Sequence, residues 1–161
     1  VTGIMVTHGH WDHIRALREL ESLTGAITYA GSADTEAIRT QENFTIENEL
    51  NGGEVFDFYD TELQVRAISV PGHTPGSIVY SVQTTWEDGS PATLLFTGDA
   101  LFPGGVGKTD SSAQFGELFS NVLEKLFGNF DDEAIVLPGH GRSTTLGTER
   151  PYLEEWGSRG W

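Results

Sequence analysis

Thr7-His8-Gly9-His10-Trp11-Asp12-His13 is the stretch that decides how this chain reads. Just ahead of it, residues 4–7 make a short apolar run of the size of one buried strand. Just behind it, Ile14, Leu17, Leu20 and Leu23 recur at helical spacing, with Asp12 placed to cap the helix and Gly25 to stop it. Residues 26–30 give the next strand-sized run. Strand, loop, helix, strand is an α/β signature. The histidine block therefore occupies a loop at a strand end, where a rigid scaffold commonly presents functional groups.

The remaining histidines repeat the arrangement. The chain has five histidines in all; His73 lies in Pro71-Gly72-His73-Thr74 and His140 in Pro138-Gly139-His140-Gly141. Taken alone, a His after Pro-Gly reads as a turn residue, and Asp99 in Gly98-Asp99 as a turn or capping acid. Taken together, each follows a strand-like run, so four strand ends deliver these groups to one edge of the sheets. Neutral imidazole is the commonest side-chain metal ligand, and packing does not explain the block from His8 to His13. These residues point to a metalloenzyme.

Further along, Ser32 is placed to cap a short helix over residues 33–40, and Asn51-Gly52-Gly53 signals a turn. Strands are expected over 54–58 and 63–70, joined near Tyr59-Asp60-Thr61. Residues 77–82 and 93–97 read as a long hairpin around Trp86-Glu87-Asp88-Gly89-Ser90-Pro91. Phe115, Leu118, Phe119, Val122, Leu123, Leu126 and Phe127 mark a core-facing helix. A last strand is expected over 134–137, then a short docking helix carrying Tyr152, Leu153 and Trp156.

Composition sets the outer bounds. A chain of 161 residues, 37% hydrophobic, fits one domain spanning 1–161 with one modest core. No apolar run has the length of a membrane span. A net charge of -15, with nine Lys and Arg, opposes nucleic acid as a partner, because cations on the protein must neutralise phosphates there; most of the acids read as solvated surface. Without cysteine, disulfides and thiolate zinc sites are excluded, and a cytoplasmic location is the expectation. Val1 is neither an initiator Met nor the start of a signal-peptide pattern.

Spacing suggests how the ligands divide. His8 and His10, two apart in an extended segment, can face one ion. Asp12 and His13 fall where the chain turns into a helix and can serve a second. Asp99, with two carboxylate oxygens, can bridge the two. Two divalent ions roughly 3.5–4 Å apart can share a hydroxide, since a bound ion lowers the pKa of water to about 7. That hydroxide is the expected nucleophile, and Asp12 can orient it or accept its proton. All-nitrogen and oxygen ligation suits Zn2+, with Fe or Mn also compatible.

This motif set, spread over nearly the whole chain, resembles the metallo-β-lactamase superfamily. The resemblance implies an αββα sandwich with its site at one edge. It also implies that His8, His10 and His73 hold one metal, that Asp12, His13 and His140 hold the other, and that Asp99 bridges. That family normally has further strands before the His-rich motif, which implies an N-terminally truncated chain with an incomplete first sheet. Gly98-Asp99-Ala100-Leu101-Phe102 and Pro71-Gly72-His73-Thr74-Pro75-Gly76 look most like the glyoxalase II-type thioester hydrolases. Lys108 resembles a basic residue that contacts the glutathione carboxylate in that family; taken alone it reads as a surface lysine. The family's C-terminal helical region, with more contacts to the thiol substrate, is not evident.

The expectation is a dinuclear metal-dependent hydrolase acting on a small-molecule thioester or related ester. A mononuclear-iron persulfide dioxygenase shares much of the motif, and a metal-binding protein without activity is the non-enzyme alternative. The bridging Asp99 argues against a true β-lactamase, and the acidic surface against a nuclease.

Overall fold

The computed structural model of the protein describes residues 1–57 and 63–160. β1 (Gly3–Met5) leads through the His-rich loop into α1 (Trp11–Ile14) and α2 (Leu17–Thr24). β2 (Ile27–Gly31), a 3-10 turn at Ser32–Asp34, α3 (Thr35–Glu42) and β3 (Asn48–Leu50) follow. β1, β2 and β3 pair in that order as an all-parallel sheet. Next come β4 (Val55–Asp57), β5 (Gln64–Ser69), β6 (Ile78–Thr85) and β7 (Pro91–Gly98), then a small hairpin of β8 (Leu101–Phe102) and β9 (Gly105–Val106). α4 (Ser112–Val122) widens into a π-helical segment at Leu123–Phe127, and β10 (Ile135–Pro138), β11 (Thr144–Thr145), α5 (Leu146–Glu149) and α6 (Leu153–Arg159) complete the described chain. The second sheet has the order β11-β10-β7-β6-β5-β4.

The cores reveal four layers. Between the sheets lie Leu50, Val65, Ala67, Ile78, Tyr80 and Val82, with Met5 and Tyr29 packed on them. Outside the three-stranded sheet, Ile14, Leu17 and Ile38 of the helices bury against Val6 and Ala30. Outside the six-stranded sheet, Leu118, Val122, Leu126 and Trp156 cover Val79, Leu95 and Val136. β6 shows why both faces must be covered: Ile78 and Tyr80 enter the inter-sheet core while Val79 enters the outer one, as strand alternation requires. This is the αββα sandwich.

Strand direction places the site. β5 and β7 each run antiparallel to β6, and β10 runs parallel to β7. β5, β7 and β10 therefore end at the same edge, carrying the chain into His73, Asp99 and His140. Pro138 pairs with Gly98, and the Gly139 N–H donates to the Gly98 carbonyl at 2.8 Å. From the other sheet, the Thr7 carbonyl accepts from the Ile78 N–H at 2.8 Å, which brings the His-rich loop to that edge.

Several local expectations need correction. The helix after the motif is two helices, broken at Arg15 and Ala16; Leu20 and Leu23 on the second are 40% and 77% exposed rather than core. Asp12 does not cap: His10 occupies that position without a side-chain bond, and Asp12 is spent in the site. Ser32 opens a 3-10 turn, and its hydroxyl bonds Asn51 Oδ1 instead of a helix N–H. The hairpin strands run beyond 77–82 and 93–97, because their polar outer halves still complete the ladder. In the tail, Trp156 is the buried anchor while Tyr152 is half exposed. β3, β8, β9 and β11 are two- or three-residue strands, too short for periodicity to register. The junction near Tyr59-Asp60-Thr61 lies outside the described residues.

Candidate metal centre

All seven sequence-predicted residues meet at this edge, in two groups. His8 Nε2 lies 3.1 Å from His10 Nδ1, and His73 Nε2 lies 3.0 Å from the same His10 nitrogen. His13 Nε2 lies 3.0 Å from His140 Nε2, and Asp12 Oδ2 lies 3.1 Å from His140 Nε2 and 3.6 Å from His13 Nε2. Asp99 stands between the groups: Oδ1 is 3.3 Å from His13 Nε2, and Oδ2 is 3.7 Å from His73 Nε2.

Convergence of this kind fits a cation better than a proton. One imidazole proton cannot satisfy three nitrogens aimed at one another. A tetrahedral Zn2+ with bonds of 2.0–2.1 Å would hold its ligand nitrogens roughly 3.3 Å apart, close to the spacings here. Asp99 Oδ1 supplies an independent sign. Among the described residues it is the one buried side-chain oxygen or nitrogen without a hydrogen-bond partner. Such an atom costs free energy unless something charged or polar meets it. Both triads, His8/His10/His73 and Asp12/His13/His140, present one donor atom per residue within 4.8 Å of one another.

The surroundings tune the ligands. His8 is 1% exposed; burial first, and then the neighbouring imidazoles His13, His73, His10 and His140, push its pKa down to about 2. His13 is also lowered: burial dominates and His140 and His10 assist, against the opposing pull of the Asp99 and Asp12 carboxylates. Both rings thus stay neutral, the state that binds metal. At Asp12, desolvation pushes the pKa up. Its own backbone N–H, then His13, His140 and His10, outweigh that and hold it below the usual carboxylate range. The His73 Nδ1–H donates to the Lys108 carbonyl at 2.7 Å, which orients the ring and leaves Nε2 free as a donor to a metal.

Close approach is built in at Gly139. A Cβ there would stand 2.5 Å from Asp99 Oδ1 and 2.5 Å from His13 Cε1. Sequence reasoning missed two features. The Lys108 side chain, which the sequence offers as a substrate contact, is exposed, whereas its carbonyl orients His73. Asp34, one acid among 24 Asp and Glu, is 3% exposed and bonds the Gly9 N–H behind the first motif. Only its burial separates it from the surface acids.

The sequence profile of the metallo-beta-lactamase superfamily matches residues 1–140. The chain belongs to this superfamily. Among its relatives, an uncharacterized protein of Mycobacterium tuberculosis is 35% identical over 173 residues, covering 94% of this chain and 75% of the relative. The hydroxyacylglutathione hydrolase GloC of Haemophilus influenzae is 30% identical over 173 residues, covering 93% of this chain and 74% of GloC. The crystal structure of the B3 metallo-beta-lactamase BLEG-1 superposes with a TM-score of 0.72 at 23% identity, covering 93% of this chain and 74% of that one. That likeness bears on the metallo-beta-lactamase fold alone. Among the described residues no helix is long and apolar enough to cross a membrane.

Proposed function

We propose that this metallo-beta-lactamase superfamily chain is a dinuclear metal-dependent hydrolase, with Zn2+ as the fitting ion, acting on a small thioester or related ester. The observation that carries the reading is Asp99: a partly buried carboxylate between the two triads, with its buried Oδ1 left unpaired. The hydrolase named for the GloC relative supports the thioester class.

His8, His10 and His73 would hold one cation, Asp12, His13 and His140 the other, and Asp99 would touch both. Bound there, divalent ions supply Lewis acidity and an activated water at neutral pH. The chain's own groups supply the remainder. Asp12 and His140 have side chains 48% and 53% exposed and His10 is exposed too, so these three face entering substrate, while His8, His13 and His73 lie deeper. Asp12, held ionised, would orient the attacking water and take its proton. The exposed Lys108, fixed beside His73 through its carbonyl, offers an ammonium to a carboxylate on the substrate.

The test is metal analysis of the purified protein together with a thioester, phosphodiester and lactam panel. The expected result is two metal equivalents and thioester turnover. Asp99→Ala is expected to abolish hydrolysis and lower the metal content. Full activity with one ion or none would sink the dinuclear account.

A further inference from the structure

Asp34 is a buried carboxylate whose role the ligand assignment leaves open. It ends the Ser32–Asp34 turn between β2 and α3. A buried carboxylate is costly unless its oxygens are met by donors, and here the donors come from the two loops that carry one ligand triad. Oδ2 accepts from the Gly9 N–H at 2.8 Å and from the Thr74 hydroxyl at 2.7 Å; Oδ1 accepts from the Gly76 N–H at 2.8 Å. Gly9 lies between His8 and His10, and Thr74 follows His73 directly. The Gly9 peptide is gripped on its other side too, since Gln41 Nε2 on α3 donates to the Gly9 carbonyl at 2.9 Å. Gly76 must come this close: a Cβ there would stand 2.5 Å from the Asp34 nitrogen and 2.6 Å from its Cγ.

The other triad is only partly held apart: Asp12 and His13 continue the same loop, where the His13 N–H donates to the His10 carbonyl at 3.0 Å, while His140 has a separate fastening. His140 and Asp99 are brought together by the Gly139 N–H on the Gly98 carbonyl, on β10 and β7. None of the hydrogen bonds to Asp34 comes from the His13, Asp99 or His140 segments.

We infer that Asp34 is a positioning residue for one half of the site: it clamps the His8–His10 loop to the His73 loop and so sets the affinity of that triad for a divalent cation more than that of Asp12, His13 and His140. The inference rests on the two-cation reading above. Three donors converging on two oxygens call for a carboxylate. Asp34→Asn keeps the volume but turns an amide N–H against one of these donors. Thr74→Val leaves the carboxylate and removes one donor.

The experiment titrates metal-free wild type, Asp34→Asn and Thr74→Val with Zn2+ against a chromophoric chelator, following histidine side-chain nitrogen shifts by NMR. Wild type is expected to take two equivalents. Asp34→Asn is expected to keep one step near wild-type affinity, moving His13 and His140, and to bind the second, on His8, His10 and His73, about 10- to 100-fold more weakly. Thr74→Val should fall between. Two unchanged steps, or two steps weakened equally, overturn the inference. Amide exchange on the metal-free proteins supplies a readout that needs no metal. Gly9 and Gly76 should exchange faster in Asp34→Asn, with Gly139 unchanged, and uniform acceleration or none overturns the clamp. A wild type taking fewer than two ions defeats the two-cation reading instead, and the exchange pattern then decides the clamp by itself.

Discussion

Gly139→Ala tests whether the site depends on the close approach of three loops. Gly139 has no positive φ, so its backbone accepts alanine without strain. What changes is space: the new Cβ would lie 2.5 Å from both Asp99 Oδ1 and His13 Cε1. Ordinary heavy-atom contacts begin near 3.5 Å, so both groups must retreat by about 1 Å. A reactive constellation tolerates displacements of about 0.5 Å, and a 1 Å misplacement costs on the order of 100-fold in rate. Gly139→Ala is therefore expected to lose about 100-fold in kcat/KM on a thioester, together with part of its zinc. The Gly139 N–H bond to Gly98 remains and no core side chain is removed, so its urea midpoint should stay near wild type. Gly116→Ala is the matched control. Gly116 lies in α4 with open space where its Cβ would be, so alanine should stabilise the helix by about 1 kcal/mol and leave activity alone. Gly139→Ala with wild-type zinc content and wild-type kcat/KM would refute the reasoning.

Other perturbations separate packing, protonation and substrate contact. Leu118 is fully buried between α4 and the six-stranded sheet. Leu118→Ala should cost about 2–5 kcal/mol in urea unfolding; a loss under about 1 kcal/mol would mean the site collapses around the gap. His8 refuses a proton in the folded state down to about pH 2, whereas the unfolded chain accepts one near pH 6.5. Metal-free stability should accordingly be full above pH 6.5 and fall by about 1.4 kcal/mol per pH unit below it. His13 acts in the same direction, and a flat profile between pH 7 and 5 would contradict this. Lys108→Ala keeps the backbone carbonyl on His73, so it should raise KM for a carboxylate-bearing thioester and leave zinc content and kcat nearly unchanged; an unchanged KM removes the lysine from the substrate site.

The candidate ligand set was legible because its chemistry is concentrated in rare residues. The five histidines sit in three motifs, and each motif follows an apolar run long enough to read as a strand. The α/β class was legible from the strand, loop, helix, strand order over residues 4–30. Helix division was not: the spacing from Ile14 to Leu23 is continuous in sequence, and only the packing shows that Leu20 and Leu23 point away from the core. Asp34 was hidden too, because a chain with 24 acids gives no local sign of which one is buried.

By itself, then, the sequence determined which side chains are candidate ligands and that strands carry them, since residue type and hydrophobic period are local properties. The tertiary structure decided whether these side chains meet. Parallel directions of β5, β7 and β10 bring residues far apart in the chain to one edge. There His73 joins His8 and His10, and His140 joins His13, because distances between loops depend on sheet order and register rather than on anything a single segment encodes.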